Sequence, residues 1–104
     1  MTVREWLHAR TPAPPPRLAA RIDEVLGERG EAAEHSLSPL CLEAAEELLA
    51  ELAARPSARR ECALDLLTVD ALVTYAFEAA AGAPESLEST ATAAMIRLAA
   101  TARA

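Results

Sequence analysis

The apolar positions recur with helical spacing in five successive segments, separated by proline, glycine and short acidic stretches. The first segment, about 3–10, opens with Thr2 and Glu5 three residues apart, a pairing that satisfies two amide groups at a helix start. The run Thr11-Pro12-Ala13-Pro14-Pro15-Pro16 is a semi-rigid spacer, because each proline removes a donor and pushes its predecessor toward extended geometry. Pro16 opens a second helix in which Leu18, Ala19, Ile22, Val25 and Leu26 share one face and Arg17, Arg21, Glu24 and Glu28 the other. Gly27 and Gly30 mark its end. Residues 27–38 then read as an acidic loop, mobile over 28–36, where little apolar surface offsets the entropy of ordering.

Ser38-Pro39 predicts an N-cap and first-turn proline for a third helix running to about Ala54. Cys41, Leu42, Ala45, Leu48, Leu49 and Leu52 form its core stripe, and Glu43, Glu46, Glu47 and Glu51 face water. Arg55-Pro56-Ser57 turns the chain into a fourth helix, about 58–81, so that helices three and four make an antiparallel hairpin. This fourth helix carries two apolar sets, Cys62/Leu66/Val69/Val73/Phe77 and Leu64/Leu72/Tyr75. Its polar positions change face near Thr68, and a single unbroken helix is favoured over a break there. A fifth helix, about 84–101, buries Leu87, Ala91, Ala94, Met95, Leu98 and Ala99, with Ile96 pointing away. The expected fold is an all-α bundle of about five helices centred on the helix-three/helix-four hairpin, as one domain over residues 1–104, with 1–16 forming the short helix and its spacer.

Composition narrows this reading. Alanine occupies 26 positions and leucine 15 of the 104, and the only aromatics are Trp6, Tyr75 and Phe77, which excludes a β-sandwich or barrel. Every basic residue is arginine, and the net charge of -6 repels phosphates and anionic headgroups, so neither nucleic acid nor a membrane surface is an expected partner. The uncharged run Ser89 to Ile96 falls far short of the ~20 residues needed to span a bilayer. The N-terminal residues lack the apolar region of a secretory signal, and the expected location is cytoplasmic. Cys41 and Cys62 are expected as buried free thiols, since helical rise places them at different heights along the hairpin.

Three arrangements carry candidate chemistry. Glu5-x-x-His8 places a carboxylate and an imidazole on one helical face, a spacing that di-iron carboxylate bundles use twice; a metal-dependent enzyme would then need a dimer to supply a second copy. His35-Ser36-Leu37 resembles the centre of the attachment motif of peptidyl and acyl carrier proteins, also small acidic helical bundles with a serine at a helix start after a long loop. The resemblance implies a prosthetic group on Ser36. It covers three residues, and Ala33-Glu34 stand where the family has Gly-Gly or Gly-Asp. The acidic face of helix three and Arg59-Arg60 at the start of helix four are possible docking features and, more simply, solvated surface. No catalytic, cofactor or metal site is assigned and no enzyme is expected. The leading expectation is a small acidic interaction or regulatory module that self-associates through Leu64, Leu72 and Tyr75 of helix four.

Overall fold

The computed structural model describes residues 1–55, 59–82 and 84–103, with the side chains of all of these except 59–61, 84–87, 89, 90 and 103. The expected turn and cap at Pro56-Ser57 therefore lie outside the described residues, and Arg59, Arg60 and Leu87 outside the described side chains. The first helix, α1 (Val3–His8), begins with the predicted reciprocal cap: the Glu5 amide donates to Thr2 Oγ1 at 3.1 Å and the Thr2 amide donates to Glu5 Oε1 at 2.9 Å. That second bond, from the Thr2 backbone, holds the Glu5 carboxyl below its usual range. Helix α2 (Pro16–Leu26) starts with proline at its first position and ends at Gly27, whose φ of 54° and ψ of -128° suit only a residue without a side chain.

Where the sequence predicts a long loop, the chain forms two 3₁₀ turns, Gly27–Glu31 and Glu34–Ser36. Polar contacts with distant residues order them, which no local apolar pattern announces. The Glu34 amide donates to Met1 O at 3.1 Å and the Val3 amide to Ala32 O at 2.9 Å, so the N-terminus runs beside residues 32–34. Arg4 Nη2 donates to Gly27 O at 2.9 Å, and its guanidinium also pairs with Glu31 and, at 3.5 Å, with Asp23. A Cβ on the buried Gly30 would stand 2.5 Å from Arg4 Cζ, so this glycine makes room for the guanidinium. Arg29 pairs with Glu43 at 3.0 Å and with Glu47, tying the first turn to the third helix.

Helix α3 (Leu37–Ala54) starts one residue before Ser38. The Ser38 hydroxyl does not cap it; Oγ donates 2.7 Å to the Ala76 carbonyl of α4 (Arg59–Ala80) instead. This bond joins the start of α3 to the last third of α4, while Arg55, just past the end of α3, reaches Asp65 near the start of α4. The two helices are antiparallel and pack more extensively than any other pair. Helix α4 is unbroken across Thr68. Helix α5 (Pro84–Arg103) lies against both α3 and α4 and is pinned to α3 by Arg97 and Glu46 at 3.0 Å. The all-α five-helix bundle centred on the hairpin is thus the fold.

The buried face of α4 differs from the expected one. Asp65, Thr68, Leu72, Ala76 and Ala80 are its buried residues, and Cys41, Leu42, Ala44, Ala45 and Leu48 are among those buried on α3. Thr68 hides its hydroxyl by donating to the Leu64 carbonyl at 2.8 Å. Asp65, only 6 % exposed, accepts from Arg21 Nε at 2.7 Å and Arg55 Nη1 at 3.3 Å. Val69, Val73 and Phe77 of the first predicted set pack beside the core, but Leu66 does not. On α5, Ala94 is buried and Leu98 half-buried as expected, whereas Met95 and Ala99 are exposed.

The guanidinium of Arg21, first by its hydrogen bond, holds the Asp65 carboxyl below the ordinary aspartate value. A depressed folded value means the carboxylate stabilises the fold above the unfolded value of about 3.9, and this contribution is lost as pH falls through the folded one. Asp65→Asn should cost about 2 kcal/mol at neutral pH by weakening the charge-assisted hydrogen bonds from Arg21 and Arg55, in denaturant unfolding followed by circular dichroism. The gap from the unchanged chain should begin to narrow below pH ~4, where the aspartate of the unfolded chain takes up a proton, and should close as pH falls through the lower folded value. A second expectation concerns Arg4. Gly30→Ala and Arg4→Ala should each cost about 1 kcal/mol, and the double variant should cost clearly less than their sum, because both disrupt one guanidinium network.

Candidate functional site

Two features of the surface stand apart from ordinary solvated helix. The first is apolar. Leu66 and Leu67 on α4 are 51 % and 56 % exposed, and Met95 and Ile96 on α5 are 71 % and 65 % exposed. Consecutive residues on a helix lie ~100° apart, so each pair spreads over a broad strip of its helix. The exposed polar positions beside them on α4 are Asp70, Thr74 and Glu78.

The second is concave. Helix α1 supplies Leu7, the spacer supplies Ala13 and Pro14, and α2 supplies Ala19 and Ile22, which with the Tyr75 ring of α4 enclose a cleft of about 200 Å³. One polar pair stands in its lining: His8 Nε2 lies 3.0 and 3.1 Å from the two carboxylate oxygens of Asp23. A carboxylate only accepts, so Nε2 carries the proton and Nδ1 is the ring nitrogen left for another partner. Behind the cleft the Trp6 ring meets Tyr75 edge-on, with centroids 6.4 Å apart at 82°. Arg10 lies over the opposite partner of this pair, its Cζ 3.9 Å from the Trp6 ring centre, and it reaches Glu78 at 3.9 Å. Arg10 Nε is enclosed without a hydrogen-bond partner, and the indole face is what it meets instead. Burial, and then the Glu78 carboxylate, pushes the Tyr75 hydroxyl above its ordinary value.

The residues singled out in the sequence are placed as follows. Leu72 is fully buried within the chain, and Tyr75 is half-covered by Trp6, so neither presents the free face expected for self-association; Leu64 is half-buried. Trp6 of the short first helix meets Tyr75, and Leu72 belongs to the core itself, neither of which periodicity along α4 alone could reveal. Glu5 is held in the α1 cap and His8 turns to Asp23, so the two are not brought together as ligands. His35 is exposed, and Ser36 is the residue preceding α3, with its side chain making no capping bond. The acidic face of α3 is largely engaged within the chain, Glu43 and Glu47 by Arg29 and Glu46 by Arg97. Among the described residues no cluster of three or more His, Cys, Asp or Glu is arranged to hold a metal ion. No helix is long and apolar enough to cross a membrane among those residues. The cleft went unnoticed in the sequence because it joins four separated segments that share no motif. Comparison of the chain with protein-family models, curated proteins and solved structures gives no match.

Both cysteines are free. Cys41 is fully buried, and the loss of solvent pushes its thiol up to about 12, while Cys62 is only half-buried. Thiol titration in native buffer should therefore modify Cys62 first, with Cys41 reacting only when the chain unfolds. Peptide mapping of the singly labelled chain checks the order.

Proposed function

We propose that the chain is a small, non-catalytic interaction module that presents the outer surfaces of α4 and α5 to another protein, with a second copy of itself the simplest partner. One observation carries the reading: Leu66, Leu67, Met95 and Ile96 stand in water on consecutive helices although the core closes without them. Covering a large aliphatic side chain gains roughly 1.5–3 kcal/mol, so even partial burial of four is a useful driving force for association. Asp70 and Glu78 flank the apolar positions of α4 and would lie at the rim of such a contact. The reading keeps the expectation of self-association and moves it from the Leu64/Leu72/Tyr75 set to side chains that are free to meet a partner.

Charge makes the two kinds of partner distinguishable. Two copies each carrying a net charge of -6 repel, so self-pairing should tighten when salt screens that repulsion. A basic partner would instead be released by salt. Light scattering of the intact chain at micromolar concentration, in low and high salt, should show a dimer favoured by salt, and Leu67→Glu combined with Met95→Glu should give a folded monomer by circular dichroism. A monomer of 11.0 kDa at every concentration and salt level would overturn self-pairing.

A further inference from the structure

The cleft beneath the proline-rich spacer is independent of the α4/α5 surface and asks for its own explanation. Its volume of about 200 Å³ exceeds the ~150 Å³ that suffices to hold a benzene ring in a protein interior. Leu7 and Ile22 are buried at its base, while Ala19 and Ala13 are small side chains that leave the space open. A flexible connection would collapse over such a gap. Here Pro12, Pro14, Pro15 and Pro16 fix the backbone that forms the lip, so the cleft keeps its width. The walls are apolar except at one place, where His8 meets Asp23.

We infer that this cleft binds a compact, uncharged and largely apolar molecule, of about benzene-to-indole size, that carries a single hydroxyl or N–H group directed at His8. The electrostatics choose among head groups. The Asp23 charge is already met by Arg4 Nε at 3.5 Å and its oxygens accept from His8 Nε2, so a cationic ligand gains little there. An anionic ligand would approach Asp23 itself and a chain of net charge -6. With Nε2 donating to the Asp23 carboxylate, Nδ1 is the ring nitrogen left to meet a donor group on the ligand. The aromatic wall of Tyr75 suits the flat face of a ring.

Phenol, toluene and benzoate serve as probes in a titration of the ¹⁵N-labelled full chain followed by amide chemical shifts. Phenol should saturate in the millimolar range or below, moving the amides of Leu7, His8, Ala13, Ala19, Ile22 and Tyr75. Toluene should move the same amides with several-fold weaker affinity, and benzoate should not bind. Ala19→Leu, which extends a side chain into the space from a helical position, should abolish phenol binding; Ala13→Val on the opposite lip provides the same block if the first variant fails to fold. His8→Ala should bring phenol down to the affinity of toluene. Shifts that do not saturate, that centre on Met95 and Ile96, or that persist in a folded blocking variant would overturn the proposal, as would equal binding of phenol and toluene.

Discussion

The close approach of α3 and α4 is the constraint on which the other elements depend. The buried residues of the two helices are mostly small, Cys41, Ala44 and Ala45 on α3 and Ala76 and Ala80 on α4, with Leu72 also fully buried, and small side chains let packed backbones approach closely. The 2.7 Å bond from the Ser38 hydroxyl to the Ala76 carbonyl is possible only at that separation. With few aromatic side chains, the chain cannot fill a wide interior with rings, so close-packed alanine takes their place. Each remaining helix then attaches to the hairpin at a definite point. Helix α2 arrives through Arg21 and Asp65, α5 through Arg97 and Glu46, and α1 through Trp6 and Tyr75.

Much of this architecture was legible in the sequence, where local chemistry decides the outcome. The Thr2/Glu5 cap, the proline spacer, the start of α2 at Pro16, its stop at Gly27 and the antiparallel hairpin all follow from residues acting on their immediate neighbours. The failures share a cause. Periodicity assigns polar residues to water, yet Asp65 and Thr68 are buried, one because two arginines from other elements reach it and one because it bonds its own helix. An alanine-rich helix also gives weak contrast between faces, and Met95 was consequently assigned to the core side of α5 when it stands in water. The stretch 27–36 follows the same rule, since Arg4 and Arg29 order it from a distance.

The two surface features were legible to different degrees. That α4 carries more apolar positions than a peripheral helix needs was visible from its two stripes, but neither stripe faces solvent as a unit: Val69, Val73 and Phe77 pack beside the core, Leu72 is buried, and the exposed pair is Leu66 with Leu67, which belongs to neither. The cleft was not legible at all. Its polar pair joins residues 15 positions apart on different helices, and its open space exists because alanines occur where larger side chains would fill it. A vacancy has no sequence signature of its own; the density of prolines beside it is the nearest thing to one.

The placement of Trp6 has a spectroscopic consequence. It is the sole indole of the chain, with the Arg10 guanidinium over its ring and Tyr75 in T-shaped contact, so its emission reports on α1 being seated beside Tyr75 of α4. Backbone ellipticity, in contrast, is dominated by the long helices α3, α4 and α5. The molecule thus carries a built-in optical gauge of one interface alongside a global measure of its helices. A difference between the two signals during unfolding would show the N-terminal layer lifting off while the hairpin beneath it is still intact.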